Sequence, residues 1–170
     1  MGEVLELFAQ ILLLRRGPQD LPASGLLLLL TVIAYVIVNC VACAIFPPSR
    51  DWPLLLLVDV GFLLLWNAAL LVRRPERILQ TTTAVFGYQL LLAPLLVPLV
   101  WLQQRFDGDA VWHAPLVFVG LVVIVWSITI NSRIIRAALG GPMLASVLLV
   151  VGQTFAEELL QLAISTPAKG

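Results

Sequence analysis

The residues of this chain best equipped for chemistry are acids and amides set inside long apolar stretches. Asp59, Glu157 and Glu158, together with Asn39, each sit well within such a stretch, and no Lys or Arg shares one with them. An ionised group near the centre of a bilayer costs about 2.5–3.5 kcal/mol on insertion scales, so these acids must be protonated, hydrated or paired. Gln153, Glu157 and Gln161 recur at i, i+4 and i+8, a spacing that stacks them on one helical face. Three readings are open for that stripe. It is a hydrated helix end whose glutamates reach for water, an interface inside the bundle or with another subunit, or a step on a proton or ion path. The interface reading uses the ability of amides and carboxyls to hydrogen-bond across helices in lipid. It expects Asn39 and Asp59, or a second protein, to satisfy the stripe.

Other constellations read as structure. Ala156-Glu157-Glu158-Leu159-Leu160 resembles the diglutamate motif of CAAX-protease-like intramembrane peptidases. The Arg expected two or three positions on is replaced by Gln161 and Leu162, and the later helical histidines have no counterpart. A glutamate base without a histidine or metal partner has nothing to orient the water it would activate. Cys40 and Cys43 form a C-x-x-C inside an apolar stretch, where burial suppresses the thiolate nucleophile and small residues serve packing. Pro94 and Pro98, four apart, remove backbone bonds from the third stretch and are read as packing elements. Thr81, Thr82 and Thr83 offer an N-cap to that stretch, Gly140-Gly141-Pro142 reads as a tight turn, and the single histidine, His113, reads as solvated.

The elements that must position these residues follow from composition. The 170 residues are 61% hydrophobic and 12% charged, with mean hydropathy +1.02, against roughly 45–50% and 25% in soluble domains. A hydrocarbon layer about 30 Å thick needs about 20 apolar residues in a helix. Five runs qualify, approximately 25–46, 53–72, 84–102, 114–132 and 142–164. Backbone in lipid must satisfy its own hydrogen bonds, and continuous runs without two-residue alternation exclude barrel strands. The fold expected is all-α, a polytopic integral membrane helical bundle of five spans in one domain.

Residues 1–20 differ. Val4, Leu7, Phe8, Ile11 and Leu12 recur at helical spacing, interrupted by Glu3, Glu6 and Gln10, as in a helix lying in the headgroup plane. Acids precede the apolar stretch and Arg15 and Arg16 follow it, the reverse of a signal peptide. Glu6 stands where N-myristoylation would want Ser or Thr. Across an odd number of spans, one side carries seven basic residues: Arg15, Arg16, Arg73, Arg74, Arg77, Arg133 and Arg136. The other carries three, Arg50, Arg105 and Lys169. The positive-inside rule makes the seven-residue side cytoplasmic, with an external C-terminus, most simply in a bacterial inner membrane. Trp52, Trp101 and Trp112 then fall near the external interface, and Asn39, Asp59, Glu157 and Glu158 in the outer half. The cytoplasmic arginines form a basic rim expected to meet anionic membrane lipids.

These features narrow function. Ten basic and ten acidic residues cancel, which gives no excess charge for nucleic acid, and two cysteines with one histidine make no zinc site. Loops 73–83 and 103–113 are too short for a soluble catalytic domain, and neither GxxxxGK nor GxGxxG occurs. No cofactor is expected.

The five-span layout resembles the Yip-type membrane protein family. Leu7-Phe8-Ala9-Gln10-Ile11-Leu12-Leu13-Leu14 with Arg15, Arg16 and Pro18 resembles its amphipathic beginning and basic exit. Thr83-Ala84-Val85-Phe86-Gly87 resembles the small-residue start of its third span, and Val125-Trp126-Ser127 a segment of its fourth. The resemblance implies no enzyme and supplies no catalytic residues. The function expected from sequence is therefore a non-enzymatic membrane subunit or assembly factor, docking other membrane subunits or copies of itself through its helices and basic loops. The alternative is a small transporter or proton-conducting element using Asp59 and Glu157, followed by an intramembrane enzyme.

Overall fold

The structure, a computed structural model, describes residues 2–46, 51–108 and 111–165. Arg50, Asp109 and Lys169 lie outside the described residues. Six helices follow one another: α1 (Gly2–Leu12), α2 (Gly25–Ile45), α3 (Trp52–Leu70), α4 (Ile78–Arg105), α5 (His113–Leu139) and α6 (Met143–Ser165). The last five are each long and apolar enough to cross a membrane, so the protein is an all-α polytopic membrane bundle preceded by an amphipathic helix. Alternating direction puts the seven arginines at one end of the bundle, the basic end. Trp52, Trp101 and Trp112 lie at the other, where Phe46 meets Trp101 edge-on at a centroid distance of 5.5 Å.

Local chemistry sets several boundaries. Ser24 caps α2 by accepting from the backbone N–H of Leu27 at 3.3 Å. Pro53 sits in the first turn of α3, where its missing N–H costs nothing. Gly140, at φ +68°, ends α5 in the left-handed conformation that glycine adopts without steric cost, and its N–H returns to the carbonyl of Arg136 at 2.8 Å.

Two spans are longer than the hydropathy pattern indicates. α4 begins at Ile78 rather than near residue 84, so Thr81, Thr82 and Thr83 are not caps. They lie inside the helix and are among its most buried residues, Thr83 being 0% exposed. The reason is that α4 is the central helix. It packs against α1, α2, α3 and α5, so its polar residues face protein instead of lipid. α5 likewise runs on to Leu139, which places Arg133 and Arg136 on helical turns rather than in a loop. α4 passes through Pro94 and Pro98 as one helix. α6 closes the bundle against α3 and α5.

α1 has the expected amphipathic pattern, but protein takes its apolar face. Phe8 and Ile11 are 3% and 2% exposed, and a Cβ at Gly87 of α4 would collide with the Phe8 ring. Gly87 stands nine residues into α4, about 14 Å along the helix at 1.5 Å per residue. α1 is therefore docked on the central helix, not afloat among headgroups. Its polar side stays outward, where Gln10 donates to Glu6 at 2.9 Å.

Candidate functional site

The expected polar stripe of α6 turns inward. Gln153, 4% exposed, accepts from Nδ2 of Asn131 on α5 at 3.5 Å. One turn further on, Glu157 is half-buried and lies within hydrogen-bonding reach of Asp59 on α3. Gln161, a turn beyond that, donates to Oε1 of Glu157 at 3.4 Å. The stripe is thus satisfied largely within the chain. Glu158, on the far side of the helix, is exposed and takes no part.

Asp59 is held from its other side by Tyr35 of α2, whose hydroxyl donates to Oδ2 at 2.7 Å. The Tyr35 ring is fixed in turn by an edge contact with Phe86 of α4, with centroids 5.4 Å apart and planes at 67°. Tyr88, two residues after Phe86 and so on the opposite side of α4, is buried near Ser127 on α5 and close enough to feel both carboxyls. Every span therefore contributes to one polar cluster: Tyr35, Asp59, Tyr88, Ser127 with Asn131, and Gln153 with Glu157.

The chemistry of the pair follows from its composition. Two carboxylates cannot hydrogen-bond to each other unless a proton sits on one of them. Neither has a cation to pair with: among the described residues the sole ion pair is His113 with Asp107, 3.7 Å apart at the tryptophan end. His113 is solvated, as read from sequence: its side chain is 54% exposed, and the contact carries charge on both partners only when the imidazole is protonated. Further buried polar atoms lie nearer the basic end. Oγ1 of Thr82 and Thr83, Oδ1 of Asn131 and Oγ of Ser132 are buried and make no hydrogen bond within the protein. They precede Tyr88 on α4 or follow Ser127 on α5, so they lie between the pair and the arginines. Buried polar atoms of this kind are where ordered water finds partners.

Asn39 is not in the cluster. Its Nδ2 donates to the carbonyl of Tyr35 in its own helix at 2.9 Å, so the expectation that it would satisfy the stripe fails. Any amide in a helix has a carbonyl four residues back, and here that local bond wins. Cys40 and Cys43 are both free thiols in α2.

The basic rim divides in two. Arg77 donates to the carbonyls of Ala137 and Ala138, at 2.6 and 3.1 Å, and Arg74 to that of Ala138 at 3.3 Å. These carbonyls belong to the last turn of α5, which has no later N–H to bond and carries the negative end of the helix dipole. Arg74 and Arg77 are therefore structural caps, while Arg73 is exposed. Arg15, Arg16, Arg133 and Arg136 instead line a cavity beside the turn that follows α1.

Sequence reasoning missed Tyr35, Tyr88 and Asn131. The tyrosines count only as apolar mass, and Asn131, one residue inside the end of the run 114–132, is not singled out there. Spacing offers one signal for Tyr35, which lies four residues before Asn39 in a run otherwise short of polar atoms. Comparisons with family models, with curated proteins and with solved structures return no match.

Proposed function

We propose that the protein is a small proton-exchanging membrane element, with the Asp59–Glu157 pair as its proton-binding centre. The carrying observation is the juxtaposition of two carboxyls from different spans, clasped by the Tyr35 hydroxyl and without a basic partner. Such a pair holds one proton readily and changes its bonding when that proton leaves. The unpartnered oxygens of Thr82, Thr83, Asn131 and Ser132 support the reading, because water bonded to them would continue a polar track toward the basic end.

The docking-subunit reading loses its main motive at α6, since Asn131 and Asp59 serve the stripe that was to need a second protein. It keeps the support of the Yip-type resemblance, which implies no chemistry. Under either reading the basic end is the cytoplasmic one, by the seven-to-three arginine and lysine split, in an inner membrane.

The test is proton movement in vesicles containing the purified protein, a trapped pH-sensitive dye and an imposed potential. Wild type moves protons, whereas Glu157→Gln and Asp59→Asn, still folded because an amide also donates a hydrogen bond, do not. Flux in Glu157→Gln equal to wild type would leave the pair as a structural clasp alone.

A further inference from the structure

At the basic end the chain after α1 turns back against α5 and forms one wall of a cavity of about 550 Å³ that opens to the outside. Arg15, Arg16, Arg133 and Arg136 line it, with Asp20 the sole acid of the lining. That acid is already engaged, its Oδ2 accepting from the N–H of Gly17 at 3.1 Å. Among the described residues, only Arg133 of the four guanidiniums has a hydrogen bond within the protein, donating to the carbonyl of Leu14 at 2.9 Å. None is ion-paired. Four like charges gathered round one cavity repel one another, and an anion between them removes that cost.

The backbone supports the arrangement. Leu14 has φ +60°, in the left-handed region that branched side chains avoid, and it is the sole non-glycine residue with positive φ among the described residues. This conformation, with the Leu14 carbonyl bonded by Arg133, turns the chain so that Arg15 and Arg16 join Arg133 and Arg136 in lining the cavity. Strain in a loop that aims side chains at a cavity is the pattern expected of a binding site. The floor is apolar, formed by Ile11, Leu14, Ile130 and Ile134.

We propose that this cavity binds a phosphate group, and that the phosphate is carried by an anionic phospholipid. Guanidinium forks match phosphate oxygens in geometry and charge. The combination of cationic wall and apolar floor suits a headgroup with the beginning of its acyl chains, and basic pockets between membrane helices take such headgroups. Among the described residues neither Arg16 nor Arg136 makes a hydrogen bond or ion pair within the protein, so both can serve a ligand, although Arg16 also borders a smaller pocket with Glu3 and Glu6.

The experiment measures binding of purified protein in nanodiscs of neutral lipid to phosphatidylglycerol titrated in, with inorganic phosphate and glycerol phosphate as soluble competitors. Arg16→Gln with Arg136→Gln lowers affinity about thirtyfold, at about 1 kcal/mol for each charge. Arg73→Gln, which removes one charge from the same end but outside the cavity, changes it less than about twofold, against about fivefold for Arg16→Gln or Arg136→Gln alone. Gly141→Phe narrows the cavity without altering charge and is sterically allowed, since an added Cβ meets nothing within 4 Å; it also weakens binding. Soluble phosphates fail to compete at concentrations that saturate the lipid. If they bind as tightly through the same arginines, the lipid source is overturned and a soluble phosphate compound takes its place. Equal losses for Arg73→Gln and the double variant, or no loss in Gly141→Phe and the double variant, overturn the site itself.

Discussion

Tyr35 on α2 donates its hydroxyl to Oδ2 of Asp59 on α3 across 2.7 Å, so the orientation of an intramembrane acid is set by a ring packed edge-on against Phe86 of α4. The relationship divides the work. The ring belongs to the apolar core, and the hydroxyl alone touches the acid. Tyr35→Phe keeps the packing and removes the donor, so it is expected to cost about 1–2 kcal/mol. Tyr35→Ala also leaves a cavity and costs about 3–5 kcal/mol, as for other large aromatics. Unfolding midpoints in mild detergent compare the two, and equal losses would mean that the hydroxyl contributes nothing.

Gly87 leaves room on α4 for the Phe8 ring. Gly87→Leu is expected to push α1 off the bundle at a cost of about 1–3 kcal/mol. The readout is proteolysis of the N-terminal segment in detergent, which becomes faster. Adding Phe8→Ala to Gly87→Leu relieves the collision and slows cleavage again. Unchanged cleavage in Gly87→Leu would show that α1 does not depend on this contact.

Arg77 bonds two carbonyls at the end of α5, while Arg73 is exposed and makes no bond among the described residues, though sequence gives them equal standing. Arg77→Gln is expected to lower stability by about 1–2 kcal/mol, while Arg73→Gln stays within about 0.5 kcal/mol of wild type. Thermal unfolding of the two variants separates a cap from a solvated charge.

How much of this was legible in the sequence depends on which neighbour each residue faces. The five spans follow from apolar length alone, because lipid imposes that length whatever the packing. Thr81, Thr82 and Thr83 were misread as caps because hydropathy assumes that a polar residue ends a span. In a central helix, polar residues meet protein and the helix continues. The phase of Gln153, Glu157 and Gln161 was visible from their spacing, yet whether that face looked inward or outward was not. That depends on the placement of Asn131 and Asp59 on other helices. The four cavity-lining arginines were legible as charge and illegible as a group, since Arg15 and Arg133 meet only through the turn at Leu14.

The basic end carries seven arginines, and among the described residues Arg105 alone of the arginines and lysines lies at the tryptophan end. Reporters fused after residue 2 and after residue 169 should place the first in the cytoplasm and the second outside. Both in one compartment would contradict an odd number of spans.

A proton shared between Asp59 and Glu157 is tested most directly by infrared difference spectroscopy of the protonated-carboxyl C=O stretch, recorded while pH is raised over wild type, Asp59→Asn and Glu157→Gln. Wild type is expected to show one such band that vanishes in a single step. Both variants should lack it, because the introduced amide donates to the remaining carboxylate and no proton need be held. A wild-type spectrum without the band, or a band unchanged in both variants, would contradict the shared proton.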